Sequence, residues 1–455
     1  MSDIFVHGLG YIGLPTAAMF ANYDHSVVGY DTDESVIEGL EDRELPMDEP
    51  GLRAFVTQAF ESGNLDVTST VEPAKYHIVC VPTPFDADAK RADLNYVRSA
   101  GEAIRPHLRV GDTVILESTV PPGTTEDVLR PVLETDGLRA GDEFALVHCP
   151  ETVLPGNIIT EMRQNARIIG GVNGVSTEAA VRLYDSFVEG EIRTTSDATT
   201  AEFVKLIQNT FRDTNIALAN EIAKLTREYG IDSREAIGLA NEHPRVNIHR
   251  PGPGVGGHCL PVDPWFLGQR SDELDLIARA RRVNDGMAAY VADLLDEELG
   301  GLAGTKIAVL GVAYKGNIGD ARESPGLRLA EAVRRAAEDE REATTGPPAT
   351  DGGGGNGRRE DEANDDHDPD PDPRSNAVRV GLHDPHVANP AIRLDSLADA
   401  VDGADALVVT TDHDEFESLD TRTIADGMAG NLVIDTKAVL DADEWAAVGI
   451  EVERI

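Results

Sequence analysis

Three glycines near the start constrain this chain more than any other feature. Gly8, Gly10 and Gly13 follow a short apolar run at 3–6 and open a stretch, 14–22, that reads as a helix. A second apolar run, 26–30, ends at Asp31. Strand, glycine turn, helix, strand and acid in that order make one βαβ unit. Gly8 permits the tight turn, Gly10 lets the backbone approach a pyrophosphate, and Gly13 allows close helix–strand packing, with the helix N-terminus favouring the phosphates. Asp31 can accept hydrogen bonds from a ribose 2′-OH and would repel a 2′-phosphate, so NAD is expected over NADP. A tight turn without a ligand is the plain alternative. FAD-binding and methyltransferase folds share the turn, so dehydrogenase chemistry does not follow from it alone.

Further strands are expected at 77–81, 113–117 and 144–148, alternating with helical segments, which implies a mostly parallel, doubly wound sheet. From 197 to 297 strand signals vanish. Phe203, Leu206, Ile207, Thr210, Ile216, Ala219, Ile222 and Leu225 recur at helical spacing and predict a long helix over 201–229. A second sheet is expected from strands at 305–310, 377–381, 405–410 and 431–435, with a helix from about 325. The fold class is thus α/β in three parts: a Rossmann domain (1–196), a central helical region (197–297) and a second Rossmann-like α/β domain (298–455). Residues 341–376, rich in Gly, Pro, Asp and Asn, are too polar to offset their ordering entropy and read as a disordered surface insertion.

Charge narrows the partners. Lys plus Arg number 40 and Asp plus Glu 82 in 455 residues, a net charge of −42. That excludes a basic nucleic-acid surface and disfavours anionic membranes. No run of about 18 apolar residues is present, and the first residues lack a basic-then-apolar leader, so a cytoplasmic location with no membrane partner is expected. Only seven basic residues are Lys (75, 90, 205, 224, 306, 315, 437), and the acids are scattered throughout. This composition resembles proteins of salt-loving microbes, where molar salt screens the self-repulsion; an ordinary acidic protein with an acidic insert is the alternative.

Two stretches carry candidate chemistry. The run Pro251-Gly-Pro-Gly-Val-Gly-Gly-His258-Cys259 places many glycines before one thiol, and Asp263 follows four residues on. A lone Cys is usually buried and inert, but the polar, loop-like context favours a reactive thiol. No metal is expected, since His249, His258, Cys259 and Asp263 match no zinc spacing. Lys205 and Asn209 lie at i and i+4 and share a helix face, where an ammonium and a carboxamide can stabilise an oxyanion. A solvated Lys on an exposed face is the plain alternative.

Taken together, these residues resemble the UDP-glucose/GDP-mannose dehydrogenase family of nucleotide-sugar 6-dehydrogenases. Its pieces occur in order: Gly8–Pro15, Val81-Pro-Thr-Pro84, Glu117-Ser-Thr-Val-Pro-Pro-Gly-Thr124, Cys149-Pro-Glu151, the Lys205/Asn209 helix, the Cys259 loop, and Gly311-Val-Ala-Tyr-Lys315 with Asp320-Ala-Arg322-Glu-Ser324. The resemblance implies a homodimer built on the central region and a C-terminal domain that binds the UDP portion of a sugar nucleotide. It implies a four-electron oxidation of a sugar C6 alcohol, with Cys259 as nucleophile, Lys205 and Asn209 on the oxyanion, Asp263 with Lys205 on the proton route, Glu151 as general base, and Thr119 holding the water. Cofactor contacts carry over to Gly8, Gly10, Tyr11, Ile12, Gly13, Asp31, Pro82, Thr83, Thr119 and Arg322. Sugar-nucleotide contacts carry over to Glu151, Lys205, Asn209, Arg245, Gly252, Gly256, Gly257 and Lys315.

The Cys259 loop, Cys149–Gly156, Thr411–Phe416 and Asp435-Thr-Lys437 are similar to the N-acetylhexosamine branch of that family. They place UDP-N-acetylmannosamine first, ahead of UDP-N-acetylglucosamine and UDP-glucose. Thr152, where the branch has Arg, and His7, inside an otherwise apolar strand, depart from the pattern. A silent nucleotide-sugar binder would lack Cys259, Lys205 or Asn209. A two-electron β-hydroxyacid dehydrogenase would need neither the thiol nor the second α/β domain.

Overall fold

The computed structural model describes residues 3–47, 49–344 and 377–455. They form two compact units, one of Met1–Arg212 with Val262–Ala278, the other of Asp213–Pro261 with Arg279–Ile455.

The first unit is built on eight strands: β1 (Asp3–His7), β2 (Ser26–Tyr30), β3 (Leu65–Thr68), β4 (Tyr76–Val79), β5 (Thr113–Leu116), β6 (Ala145–His148), β7 (Arg167–Gly171) and β8 (Ile192–Thr194). Their order is β8-β7-β6-β5-β4-β1-β2-β3. From β3 across to β6 every pairing is parallel, with Val6 opposite Gly29 on one side and Ile78 on the other. β7 turns antiparallel to β6, and β8 is parallel to β7. The central strands are covered on both faces, so β5 is buried throughout and reads as a continuous apolar run. α1 (Gly13–Asn22) buries every residue but Asn22, because it packs on β2 and on the helix Leu52–Glu61. β3, β7 and β8 were not expected. They are short or mixed in character, and β7 opens on a buried Arg167 and closes on two glycines.

The second unit carries a five-stranded parallel sheet of β9 (Lys306–Leu310), β10 (Arg379–His383), β11 (Ala406–Val409), β12 (Leu432–Asp435) and β13 (Glu451–Arg454), in the order β10-β9-β11-β12-β13. The sequence predicts four of these; the half-exposed β13 gives too little apolar signal. Residues 197–297 hold helices and no strand, and these helices are divided between the two units.

α2 (Ala198–Glu228) runs for 31 residues with no Gly or Pro. Its apolar positions do not share one buried face. Leu206 and Ala219 are fully buried, whereas Phe203, Ile207, Phe211, Leu218 and Leu225 are 43–55% exposed. α3 (Pro325–Thr344) extends four residues into the segment expected to be disordered. Arg341, Glu342 and Ala343 are good helix formers, and the composition changes only at Gly346-Pro347. The rest of that insertion, 345–376, lies outside the described residues. No described helix is long and apolar enough to cross a membrane.

Candidate active site

The glycine turn has the shape a dinucleotide needs. Gly8 sits at φ +90°, where an added Cβ would stand 2.7 Å from the Cys80 carbonyl oxygen. A Cβ at Gly13 would stand 1.8 Å from the Gly8 carbonyl oxygen, so both positions are closed to side chains by the chain itself. Gly10 has nothing within 4 Å of such a Cβ, leaving its backbone open on the ligand side. Tyr11 and Ile12 are half-buried beside it. Asp31 accepts from Leu9 N at 2.8 Å and from Asp33 N at 3.0 Å, which fixes its carboxylate against the turn. Thr83 Oγ1 donates to the Thr119 carbonyl at 2.8 Å and joins two loops at the strand ends, while Pro82 is exposed. The open backbone at Gly10 and the fixed Asp31 carboxylate therefore fit NAD.

The same unit gathers four buried polar groups. Glu151, Lys205 and Asn209 are each 7% exposed and Asp263 3%. Lys205 is thus a buried ammonium, against the reading of a solvated lysine. Asn209 Nδ2 donates to Asp263 Oδ2 at 2.6 Å. Burial pushes the Asp263 carboxyl up to about 6, against the lowering effects of Lys205 and Asn209. Burial also raises Glu151, and Lys205, Arg167 and the Val153 N–H pull it back. Lys205 thus acts on two buried carboxylates, both raised by burial, Asp263 to about 6, where a proton can be taken and returned.

The second unit holds the thiol. The strand-end cysteines are inert: Cys149 is buried with its thiol pushed up to about 12, and burial raises Cys80, whose Sγ donates to Glu117 at 3.2 Å. Cys259 is exposed. Its loop is anchored by Gly252 N on Asn220 Oδ1 at 2.8 Å, by Arg234 on the Pro251 carbonyl at 3.2 Å, and by Gly257 N on the Arg322 carbonyl at 2.9 Å. Gly256 would clash with Tyr314 Cβ and the Glu323 carbonyl, each 2.6 Å from an added Cβ. Gly257, at φ +83°, would meet the Tyr314 ring at 2.9 Å. The glycines let this loop pack on Tyr314. Arg322 forks onto Asp320 through Nε and Nη2, and its charge acts on Cys259. Lys315 and Arg245 are exposed.

His386, His413 and Glu415 also lie close enough to suggest a metal site. His413 Nδ1 accepts from Asn317 N at 3.0 Å, so its Nε2 carries the proton and donates to Asp384 Oδ2 at 3.0 Å. That tautomer leaves His413 no lone pair for a metal.

Comparison with known proteins shows the family. The family models for the NAD binding, central and UDP binding domains of the UDP-glucose/GDP-mannose dehydrogenase family match residues 2–188, 199–286 and 374–442. The chain is 40% identical to UDP-N-acetyl-D-mannosamine dehydrogenase of Methanococcus maripaludis, over 100% of this chain and 97% of the relative. The chain belongs to the UDP-glucose/GDP-mannose dehydrogenase family. It is accordingly an NAD-dependent nucleotide-sugar dehydrogenase with a UDP-binding domain. Among solved structures of this family, UDP-D-ManNAc dehydrogenase from Pyrococcus horikoshii superposes with a TM-score of 0.85 at 40% identity, covering 100% of this chain and 99% of that one. UDP-N-acetyl-mannosamine dehydrogenase from Staphylococcus aureus gives 0.80 at 37%, covering 100% and 98%.

Three buried groups of this dehydrogenase escape a reading of the sequence. Glu117 accepts from Thr16 Oγ1 at 3.1 Å, from Tyr184 OH at 2.5 Å and from the Cys80 thiol. Glu202, one turn before Lys205, accepts from Thr125 N at 2.7 Å and Thr125 Oγ1 at 2.6 Å, and burial pushes it up to about 7. Arg167 is 1% exposed, and its charge acts on Glu117 and Glu151. Glu117 opens the Glu117–Thr124 motif and ends the apolar run Thr113–Leu116, but neither signal names its partners Thr16, Tyr184 and Cys80.

Proposed function

We propose that the chain oxidises the C6 alcohol of UDP-N-acetyl-D-mannosamine to the carboxylate in four electrons. The observation that carries the chemistry is the buried Lys205–Asn209–Asp263 group, with Asn209 bonded to Asp263 at 2.6 Å. The full-length relatives carry the sugar.

Asp263, with Lys205 beside it, takes the C6 hydroxyl proton through a water. NAD held at Gly8–Gly13 and Asp31 would supply the hydride acceptor for the two oxidation steps. The Cys259 sulfur adds to the aldehyde carbon, and its S–H proton leaves to solvent. The resulting thiohemiacetal oxyanion is held by the Lys205 ammonium and the Asn209 amide. Loss of the second hydride leaves a thioester. A water held at Thr119 and deprotonated by Glu151 cleaves it, releasing the carboxylate and restoring the thiol. One alcohol, one water and two NAD+ give one carboxylate, two NADH and three protons. The thiol matters because only a covalent adduct turns an aldehyde into a second hydride donor. Arg322 and Lys315 serve the cofactor and the nucleotide, and Gly252, Gly256, Gly257 and Arg245 shape the sugar-nucleotide site.

The exposed residues Phe203, Ile207, Phe211, Leu218 and Leu225 on α2 support a homodimer. The scarcity of Lys and the net charge of −42 support a cytoplasmic protein adapted to high salt. Thr152, beside Glu151, keeps UDP-N-acetylglucosamine as the second reading. The test counts NADH released per limiting sugar nucleotide in molar KCl. Two NADH with UDP-N-acetylmannosamine alone is the expected result. Two with another sugar keeps the mechanism and overturns the specificity. One NADH removes the thioester route, and none from any sugar with NAD bound leaves a silent binder.

A further inference from the structure

The loop that carries Glu151 is held by backbone and side chains together. Asn157 N donates to the Leu154 carbonyl at 3.5 Å, and the Asn157 carbonyl accepts from Glu161 N at 3.1 Å. Side chains hold further points. Glu151 takes the Val153 N–H, Glu161 takes Leu154 N at 2.8 Å, and Asn165 Nδ2 reaches the Thr152 carbonyl at 3.3 Å. The far end belongs to Glu49, which accepts from Gly156 N at 2.9 Å and 3.2 Å through its two oxygens. Gly156 sits at φ +96°, a backbone conformation that other residues adopt only with strain.

Glu49 has a second partner. The Tyr11 hydroxyl donates to its carboxylate, and Tyr11 lies inside the glycine turn between Gly10 and Ile12. Glu49 is only 7% exposed, and both donors converge on it from distant parts of the first unit. A carboxylate has about four acceptor directions, enough for both donors at once. A ligand that fixes the turn thereby fixes Tyr11, and through Glu49 it fixes Gly156.

We propose that Glu49 is a positioning residue that couples dinucleotide binding at the glycine turn to the placement of the 151–157 loop. The inference rests on the reading of Glu151 as the general base, and it adds that the base is ordered by NAD. Coupling is reciprocal, so breaking the Tyr11–Glu49 link weakens NAD as much as it frees the loop.

Hydrogen–deuterium exchange on the full chain, with and without NAD and with no sugar present, tests this. In the wild type, NAD is expected to slow exchange of the Val153, Leu154 and Gly156 amides. Tyr11→Phe keeps the ring and loses the donor. It is expected to abolish that NAD-dependent slowing and to weaken NAD about 5-fold by calorimetry. Glu49→Gln is expected to do the same; if it does not fold, Tyr11→Phe carries the test alone. A purely structural Glu49 would alter exchange without NAD and leave the slowing on NAD intact, which overturns the proposal. Unchanged loop exchange in the wild type on adding NAD overturns it too. The underlying base assignment is read separately from Glu151→Gln, which should release two NADH per site and then stall at the thioester. A stall with no loop coupling removes only the coupling. Loop coupling with no stall removes the base role and leaves the Glu49 link standing.

Discussion

Replacing Asn209 by Ala separates two duties assigned to one side chain. Its amide donates to Asp263 Oδ2 at 2.6 Å, and Asp263 titrates at about 6 because burial outweighs Lys205 and Asn209. A hydrogen bond to an ionised buried carboxylate is worth about 1.5–3 kcal/mol, or about one to two pH units. Losing it moves the acid limb of kcat/KM from about 6 to about 7–8. With the limb near 7.5, roughly a quarter of Asp263 is ionised at neutral pH, against roughly nine-tenths in the wild type, an approximately 4-fold loss. That part of the loss recovers by pH 9. What persists at pH 9 in the second NADH measures the oxyanion contact, about 10²-fold if Asn209 acts as a single oxyanion donor. The assay is the pH dependence of the first and second NADH formed, from pH 5 to pH 9 at fixed KCl, the first reading the Asp263 limb and the second the oxyanion. A limb that stays near 6 or moves to lower pH refutes the assignment, because removing a donor to the ionised form can only raise it.

Other outcomes follow from the same geometry. Asp263 titrates above its unfolded value, so its contribution to stability is full at low pH and lost as the pH rises through about 6. Asp263→Asn should therefore raise the stability at pH 8, by up to about 3 kcal/mol, while abolishing oxidation; a lowered Tm at pH 8 contradicts this. His7 Nε2 and His77 Nδ1 lie 3.1 Å apart, and burial holds both rings well below their ordinary value, His77 at about 4. Both stay neutral in the fold and take protons when unfolded, so stability falls as the pH drops from about 6.5 toward 4. His7→Val with His77→Leu should recover at least about 2 kcal/mol of that loss at pH 5 in urea melts, and an unchanged pH dependence would exclude the pair as its source. Phe211→Glu with Leu218→Glu should convert a dimer to monomer in sedimentation, and a dimer that persists places the interface elsewhere.

What the sequence reveals follows burial. β1, β4, β5 and β6 are central strands covered on both faces, and their apolar runs, like that of the half-exposed β2, locate them within a residue or two. β3, β8 and β13 lie at sheet edges, where half the residues are free to be polar, whereas β7 is buried but opens on Arg167 and closes on two glycines and so lacks a long apolar run. α2 is legible as a helix, yet its inward face is not, because the apolar stripe of Phe203, Ile207 and Phe211 is 43–55% exposed while the polar Lys205 and Asn209 are buried. Hence Lys205 reads equally as solvated or buried until its neighbours are placed. Asp31 and Cys259 stand out because a fixed spacing surrounds each of them. Glu49, Glu117 and Glu202 have no such frame: Gly156, Thr16 and Thr125 lie 107, 101 and 77 residues away. A lone acid in a chain with 82 of them carries no mark of its partner.

The acids thus fall into two populations that answer to different variables. Those on the surface repel one another through solvent, over a Debye length of about 10 Å at 0.1 M salt and about 3 Å at 1 M. Glu151 and Asp263 are at most 7% exposed, and the Asn209–Asp263 contact of 2.6 Å is shorter than either length. Salt should therefore act on the first population and leave the second alone. Raising KCl from 0.1 M to 2 M is expected to raise Tm while the acid limb of kcat/KM stays near 6, within about 0.3 of a pH unit. Both readings come from one preparation titrated two ways. A limb that slides by a full unit with salt would mean that Asp263 feels the solvent ions directly. Its near-neutral titration could not then arise from burial, and the assignment of Lys205 and Asn209 as its counterweights would fail with it.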